Sequence, residues 1–167
     1  MVVPLFFGVF AFAGLVLMAL AALSDYRSRH VPDTITCALW GVLFLAGVMA
    51  TDMFQVAVGV FFLAFFTNIL WLRNRKKEFF GWGDVLILPV FVAFILQMVN
   101  PVYAVIIVAF SMLLPFFQVW YRYMIVEHKP AKASAMLAMI DMNKMRIPLV
   151  VYMAIGYAAA FCGYVFR

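Results

Sequence analysis

Six apolar runs, separated by short polar segments, occupy most of the chain. They lie at about Val3–Leu23, Thr34–Ala50, Phe54–Leu72, Val85–Val99, Val102–Tyr121 and Ile147–Phe166. A helix needs about 20 residues, with a range of ~17–25, to cross a hydrocarbon core. Five runs meet that length within the uncertainty of their edges. The fourth is short and contains Pro89. Either its helix starts at Trp82 and draws Asp84 toward the membrane, or the bilayer thins around it. Asn100-Pro101 marks a tight turn between the fourth and fifth runs. The first run exceeds the ~7–15 apolar residues of a signal peptide and has no basic segment ahead of it, so it reads as a retained span. The expectation is an all-α, polytopic membrane protein with about six transmembrane helices, forming one domain over residues 1–167. No internal repeat or low-complexity segment interrupts the pattern.

Composition sharpens this reading. Of 167 residues, 69% are hydrophobic and 11% charged, whereas a soluble domain is about half apolar. A soluble surface carrying that excess would be one large sticky patch. The net charge of +5 sits in short connections between apolar runs, so it reads as a topology signal and not as a nucleic-acid footprint. The first connection carries Arg27 and Arg29, the third Arg73, Arg75, Lys76 and Lys77, and the fifth Arg122, Lys129, Lys132, Lys144 and Arg146. Only Arg167 falls on the other side. By the positive-inside rule all three basic loops face the cytosol and both termini face outward. Within the fifth connection, Met136, Leu137 and Ile140 at helical spacing, flanked by Lys132 and Lys144, suggest a short helix lying on anionic headgroups; a mobile loop is the other reading. Cys37 and Cys162 each lie inside an apolar run with no ligand-spaced Cys or His, and are expected to be buried apolar thiols.

Seven acids are few enough to be informative. Asp25, Asp33 and Asp84 fall on the cytosolic edge; Asp52 is in an outer turn, and Glu78, Glu127 and Asp141 lie in cytosolic loops. Asp84 follows Gly81-Trp82-Gly83 at the head of the fourth run. It reads either as an N-cap or as a reactive carboxylate that the glycines allow another chain to approach. Asp25 sits near the C-terminal end of the first run, where the helix dipole disfavours negative charge. It reads either as a solvated acid balanced by Arg27 and Arg29 or as a functional one. Asp33, after Pro32, reads as an N-cap. Two carboxylates on different helices at one membrane edge could share a proton, one remaining protonated while the other stays ionised. Such a pair activates water and protonates a carbonyl without metal, cofactor or covalent nucleophile. No Ser, His and acid set shares one face, and His30 and His128 lack metal-spaced partners and read as loop residues.

At these residues the chain resembles the prepilin peptidase family, the GxGD-type aspartyl proteases of type IV pili and archaeal flagella. Ser24-Asp25-Tyr26-Arg27-Ser28-Arg29-His30-Val31-Pro32-Asp33 resembles the family's first-aspartate segment, and Gly81-Trp82-Gly83-Asp84-Val85 its GxGD segment. Arg146-Ile147-Pro148 is similar to the Pro-containing start of the last helix. The resemblance implies that Asp25 and Asp84 are the catalytic dyad; Gly81 and Gly83, through the close approach that glycine allows, are expected to border the substrate. It implies cleavage of prepilin-like or preflagellin-like class III signal peptides at the cytosolic face of a bacterial or archaeal membrane, after a glycine preceding the hydrophobic stretch. Asp33 departs from the Asn frequent at this turn in pilus members. Bifunctional bacterial members carry a long first cytosolic region, often with paired CxxC motifs, that is linked to N-methylation; this chain has a short, cysteine-free connection, so methyl transfer is not expected. The small size is similar to archaeal preflagellin or prepilin peptidases and to compact tight-adherence pilus enzymes.

Three other readings compete. Edge carboxylates would also serve a small proton-coupled transporter, although no acid occupies the middle of any run. A structural subunit of a pilus or secretion machine would need neither aspartate. A presenilin-like intramembrane protease would place its first aspartate deep inside a span.

Overall fold

The computed structural model describes residues 2–28, 30–49, 51–75, 81–121 and 149–166. All the elements among them are helices: α1 (Val2–Ser28), α2 (Asp33–Met49), α3 (Thr51–Arg75), α4 (Trp82–Met98), α5 (Pro101–Tyr121) and α6 (Leu149–Val165). The predicted helix on Met136, Leu137 and Ile140, the Arg146-Ile147-Pro148 segment, and Glu78, Glu127, His128 and Asp141 lie outside the described residues.

Helix boundaries follow local chemistry. α5 begins with Asn100 as its cap, whose Oδ1 accepts the Val102 N–H at 3.0 Å, and with Pro101 at the first helical position, where a missing N–H costs nothing. α4 does start at Trp82, as one of the two readings of the short fourth run required. α1 runs on past the expected edge at Leu23 as far as Ser28, so Asp25 lies inside a helix. Phe6–Ser28 and Asp52–Arg73 are long and apolar enough to cross a membrane.

α4 packs against α2, α3, α5 and α6, while α1 packs against α2 and α6. Its sequence explains this central place. From Val85 to Leu96 it is apolar around its whole circumference, and Val85, Ile87, Val90, Phe91, Phe94 and Ile95 are all buried. A helix without a polar face belongs inside a bundle. The surrounding helices bury one stripe each and expose another. Phe12, Val16 and Leu20 on α1, Phe62, Leu63 and Phe66 on α3, and Val105, Phe110 and Phe117 on α5 form a broad apolar exterior.

Close approach between helices depends on small residues, as expected where lipid removes much of the hydrophobic drive for association. A Cβ on Gly14 would overlap the Tyr157 hydroxyl, and one on Gly156 would overlap the Ser111 hydroxyl. The buried Tyr157 hydroxyl donates to the Ala11 carbonyl at 3.1 Å, tying α6 to α1. Its ring lies 5.7 Å from that of Phe94. Tyr152 donates to Gln118, joining α6 to α5.

The cysteines differ from expectation. Cys37 and Cys162 are free thiols exposed on the bundle exterior. The buried stripes pass through Thr36 and Ala160, and the cysteines one and two positions further on are turned away. An apolar run says that a residue avoids water; it does not say which face of the helix it occupies.

Candidate active site

The inward stripe of α1 is Ala11, Gly14, Met18 and Ala21, all buried. Its alternating three- and four-residue spacing, continued by four, arrives at Asp25. The acid is therefore aimed into the bundle by the same periodicity that packs the helix. It is partly buried, and its Oδ2 is shielded from solvent.

The short connection to α2 is fastened to the end of α1. Ser24 and Ser28 donate their hydroxyls to the His30 carbonyl at 2.9 and 3.0 Å. Those hydroxyls address the carbonyl of His30 and not its imidazole, so they form no Ser–His nucleophile. α2 then starts on Pro32, whose carbonyl accepts from the Ile35 and Thr36 N–H groups at 3.0 and 3.3 Å. Asp33 is thus the first helical residue of α2 and not the N-cap expected from Pro32-Asp33. Its side chain is exposed.

Asp84 is also not an N-cap. Gly81 holds that position with φ −61° and ψ 148°, which puts Asp84 third in the helix. From there its carboxylate reaches back to accept the Gly81 backbone N–H, the return half of a capping box. Gly81 contributes no side chain, so the loop stays slim beside the acid. A Cβ on Gly81 would lie 3.3 Å from Asp84 Oδ2, whereas one on Gly83 would meet nothing within 4 Å. Two residues into the helix beyond Asp84, the Leu86 carbonyl accepts the Trp40 indole N–H at 3.0 Å, joining α4 to α2. Pro89 lies nearby and removes one backbone donor from the same part of α4.

These elements meet around a pocket of about 280 Å³ lined by Asp25, Asp33 and Asp84, by Gly81 and Gly83, and by Thr36 among others. Asp25 and Asp84 are near enough that the charge on one acts directly on the other. All the residues singled out for the site in the sequence, Asp25, Asp84, Gly81 and Gly83, border this one pocket. Asp33 and His30, assigned to a cap and a loop, border it too. Thr36, Trp82, Leu86 and Val150 were not foreseen. Thr36 had one available signal, its three-residue spacing from Asp33 on the same helical face; Val150 had none, because α6 is remote in sequence. Among the described residues no group of three His, Cys, Asp or Glu is placed to hold a metal ion.

Paired carboxylates from separate helices open on one pocket of an apolar helical bundle. The sequence profile of the type IV leader peptidase family matches residues 12–117, which include both aspartates and both glycines. The chain belongs to that membrane-embedded family of leader peptidases, and is a protease. No curated protein and no solved structure matches it.

Proposed function

We propose that this leader peptidase cleaves with Asp25 and Asp84 as its catalytic pair. The observation that carries the reading is the convergence of the two acids, from α1 and α4, on one pocket within reach of each other's charge. Two close carboxylates in a poorly hydrated site hold one proton between them. The ionised partner takes a proton from a water molecule, which attacks the scissile carbonyl carbon. The protonated partner donates to the carbonyl oxygen. Collapse of the resulting tetrahedral species expels the amine, which receives a proton from the pair.

The substrate is a prepilin-like or preflagellin-like precursor cut at the cytosolic face, after a glycine preceding its apolar stretch. Six helices span the bilayer, both termini face outward, and residues 1–167 act as one membrane-embedded domain. The Lys and Arg asymmetry supports this orientation, and the apolar exterior of the bundle supports lipid contact. Gly81 and Gly83 border the substrate chain, which must be locally unwound for its peptide bond to be reached. A glycine turn offers its backbone groups to that unwound segment, where unsatisfied polar groups are costly. In membranes containing a prepilin-type substrate, Asp25→Asn and Asp84→Asn are each expected to lower cleavage by about 10²–10⁴ while the protein still inserts. Appreciable turnover by either variant refutes the pair.

A further inference from the structure

The buried stripe of α2 is Thr36, Leu39, Leu43 and Ala46. Thr36 is its one polar member, only 5% exposed, and it faces the pocket with Asp25 and Asp84. A helical threonine commonly turns its hydroxyl to the carbonyl four residues back. Here that carbonyl belongs to Pro32 and already accepts the Ile35 and Thr36 N–H groups. The buried stripe of α2 thus brings one hydroxyl-bearing side chain to the wall of the pocket that holds both carboxylates.

We propose that Thr36 is a substrate-binding residue whose hydroxyl donates to a main-chain carbonyl of the substrate beside the scissile bond. This rests on the active-site reading above. Both acids are placed to act on one peptide group, and an unwound chain in that setting presents neighbouring carbonyls that need donors. A neutral hydroxyl meets that need without adding a charge next to the carboxylates, and it serves any side-chain sequence. The donor is positioned before substrate arrives. One helical turn beyond Thr36, Trp40 is bonded to the Leu86 carbonyl, and Leu86 itself lines the pocket. That bond fixes the first turns of α2 against the first turns of α4, and so Thr36 against Asp84.

The test uses the full chain, purified in detergent, with a prepilin-type peptide. Thr36→Val and Thr36→Ala are expected to lower kcat/KM, normalised to folded protein by the melting curve, by about 2- to 13-fold, the range of one neutral hydrogen bond. Thr36→Ser, which restores the hydroxyl, is expected within twofold of wild type. Replacing single peptide links flanking the scissile bond by esters weakens one carbonyl acceptor at a time. At one position the Thr36→Val penalty should shrink toward none, which a purely structural role would not produce. Full activity in Thr36→Val and Thr36→Ala, equal losses in Thr36→Ser and Thr36→Val, or a penalty blind to every ester position each overturn the inference. Asp25→Asn is assayed alongside. If it is inactive, such results count against Thr36 alone; if it still cleaves, the active-site reading falls and this inference with it.

Discussion

Gly83 offers a clean separation of folding from function. It is the second helical residue of α4, directly before Asp84, and a Cβ placed on it meets nothing within 4 Å. Gly83→Ala therefore adds one carbon to open space at the pocket wall and creates no clash in the free protein. Alanine is better than glycine in a helix by up to about 1 kcal/mol, so melting in detergent should stay level or rise. Gly83→Val adds two further carbons in the same direction and carries the stiffness of a β-branched residue. If the substrate backbone passes close to Gly83, those atoms occupy its path. Overpacking of this kind costs about 1–3 kcal/mol, which corresponds to a loss of about 5- to 150-fold in kcat/KM. Gly81→Ala acts differently, because its Cβ would sit 3.3 Å from Asp84 Oδ2 and push the carboxylate itself. It should reduce cleavage even of substrates that extend only a residue or two past the scissile bond. The assay is kcat/KM on a prepilin-type peptide, normalised to folded protein by the melting curve. Wild-type kcat/KM in Gly83→Val refutes the close-approach reasoning, as does a loss that only tracks the unfolded fraction.

Other consequences can be checked in parallel. Because two carboxylates sharing one proton act as a unit, the double variant Asp25→Asn with Asp84→Asn should be hardly worse than either single one; multiplicative losses in a sensitive cleavage assay would show independent roles. Asp33→Asn should be far milder, since Asp33 is exposed at the pocket rim. Single cysteines placed at residues 73–77 and near Asp52, in a background free of Cys37 and Cys162, should react with an impermeant reagent from opposite sides of the membrane; labelling from the same side contradicts the six-span orientation. Gly14→Val should destabilise the bundle by about 1–3 kcal/mol, because its side chain must displace the Tyr157 hydroxyl from the α1–α6 contact. A wild-type melting temperature would show that this contact is not tight.

Much of the architecture is legible in the chain because apolar runs and their punctuation are local properties. Asn100-Pro101 stops one helix and starts the next through groups carried by the pair itself. The unbroken apolar stretch from Val85 to Leu96 in α4 announces a helix with no solvent face. The inward aim of Asp25 is also written locally, since it extends the stripe of Ala11, Gly14, Met18 and Ala21. Assignments that depended on a single dipeptide were less secure. Pro32-Asp33 and the glycine-rich turn before Asp84 both suggested N-caps, yet the backbone geometry moved each acid into its helix, because Pro32 and Gly81 themselves hold the cap positions. Tertiary packing alone decided the rest. Only the docking of α2 on α4, fixed by Trp40 and the Leu86 carbonyl, brings Thr36 to the pocket that the carboxylates border. Only the return of α6 brings Val150 to the pocket wall. Hydropathy could not assign the cysteines to a face, because lipid and protein interior are both apolar and both accept a thiol. The sequence by itself therefore determined the helices and the two acids, through local periodicity and residue chemistry; which surfaces meet, and which polar groups then face one another, was decided by contacts between segments far apart in the chain.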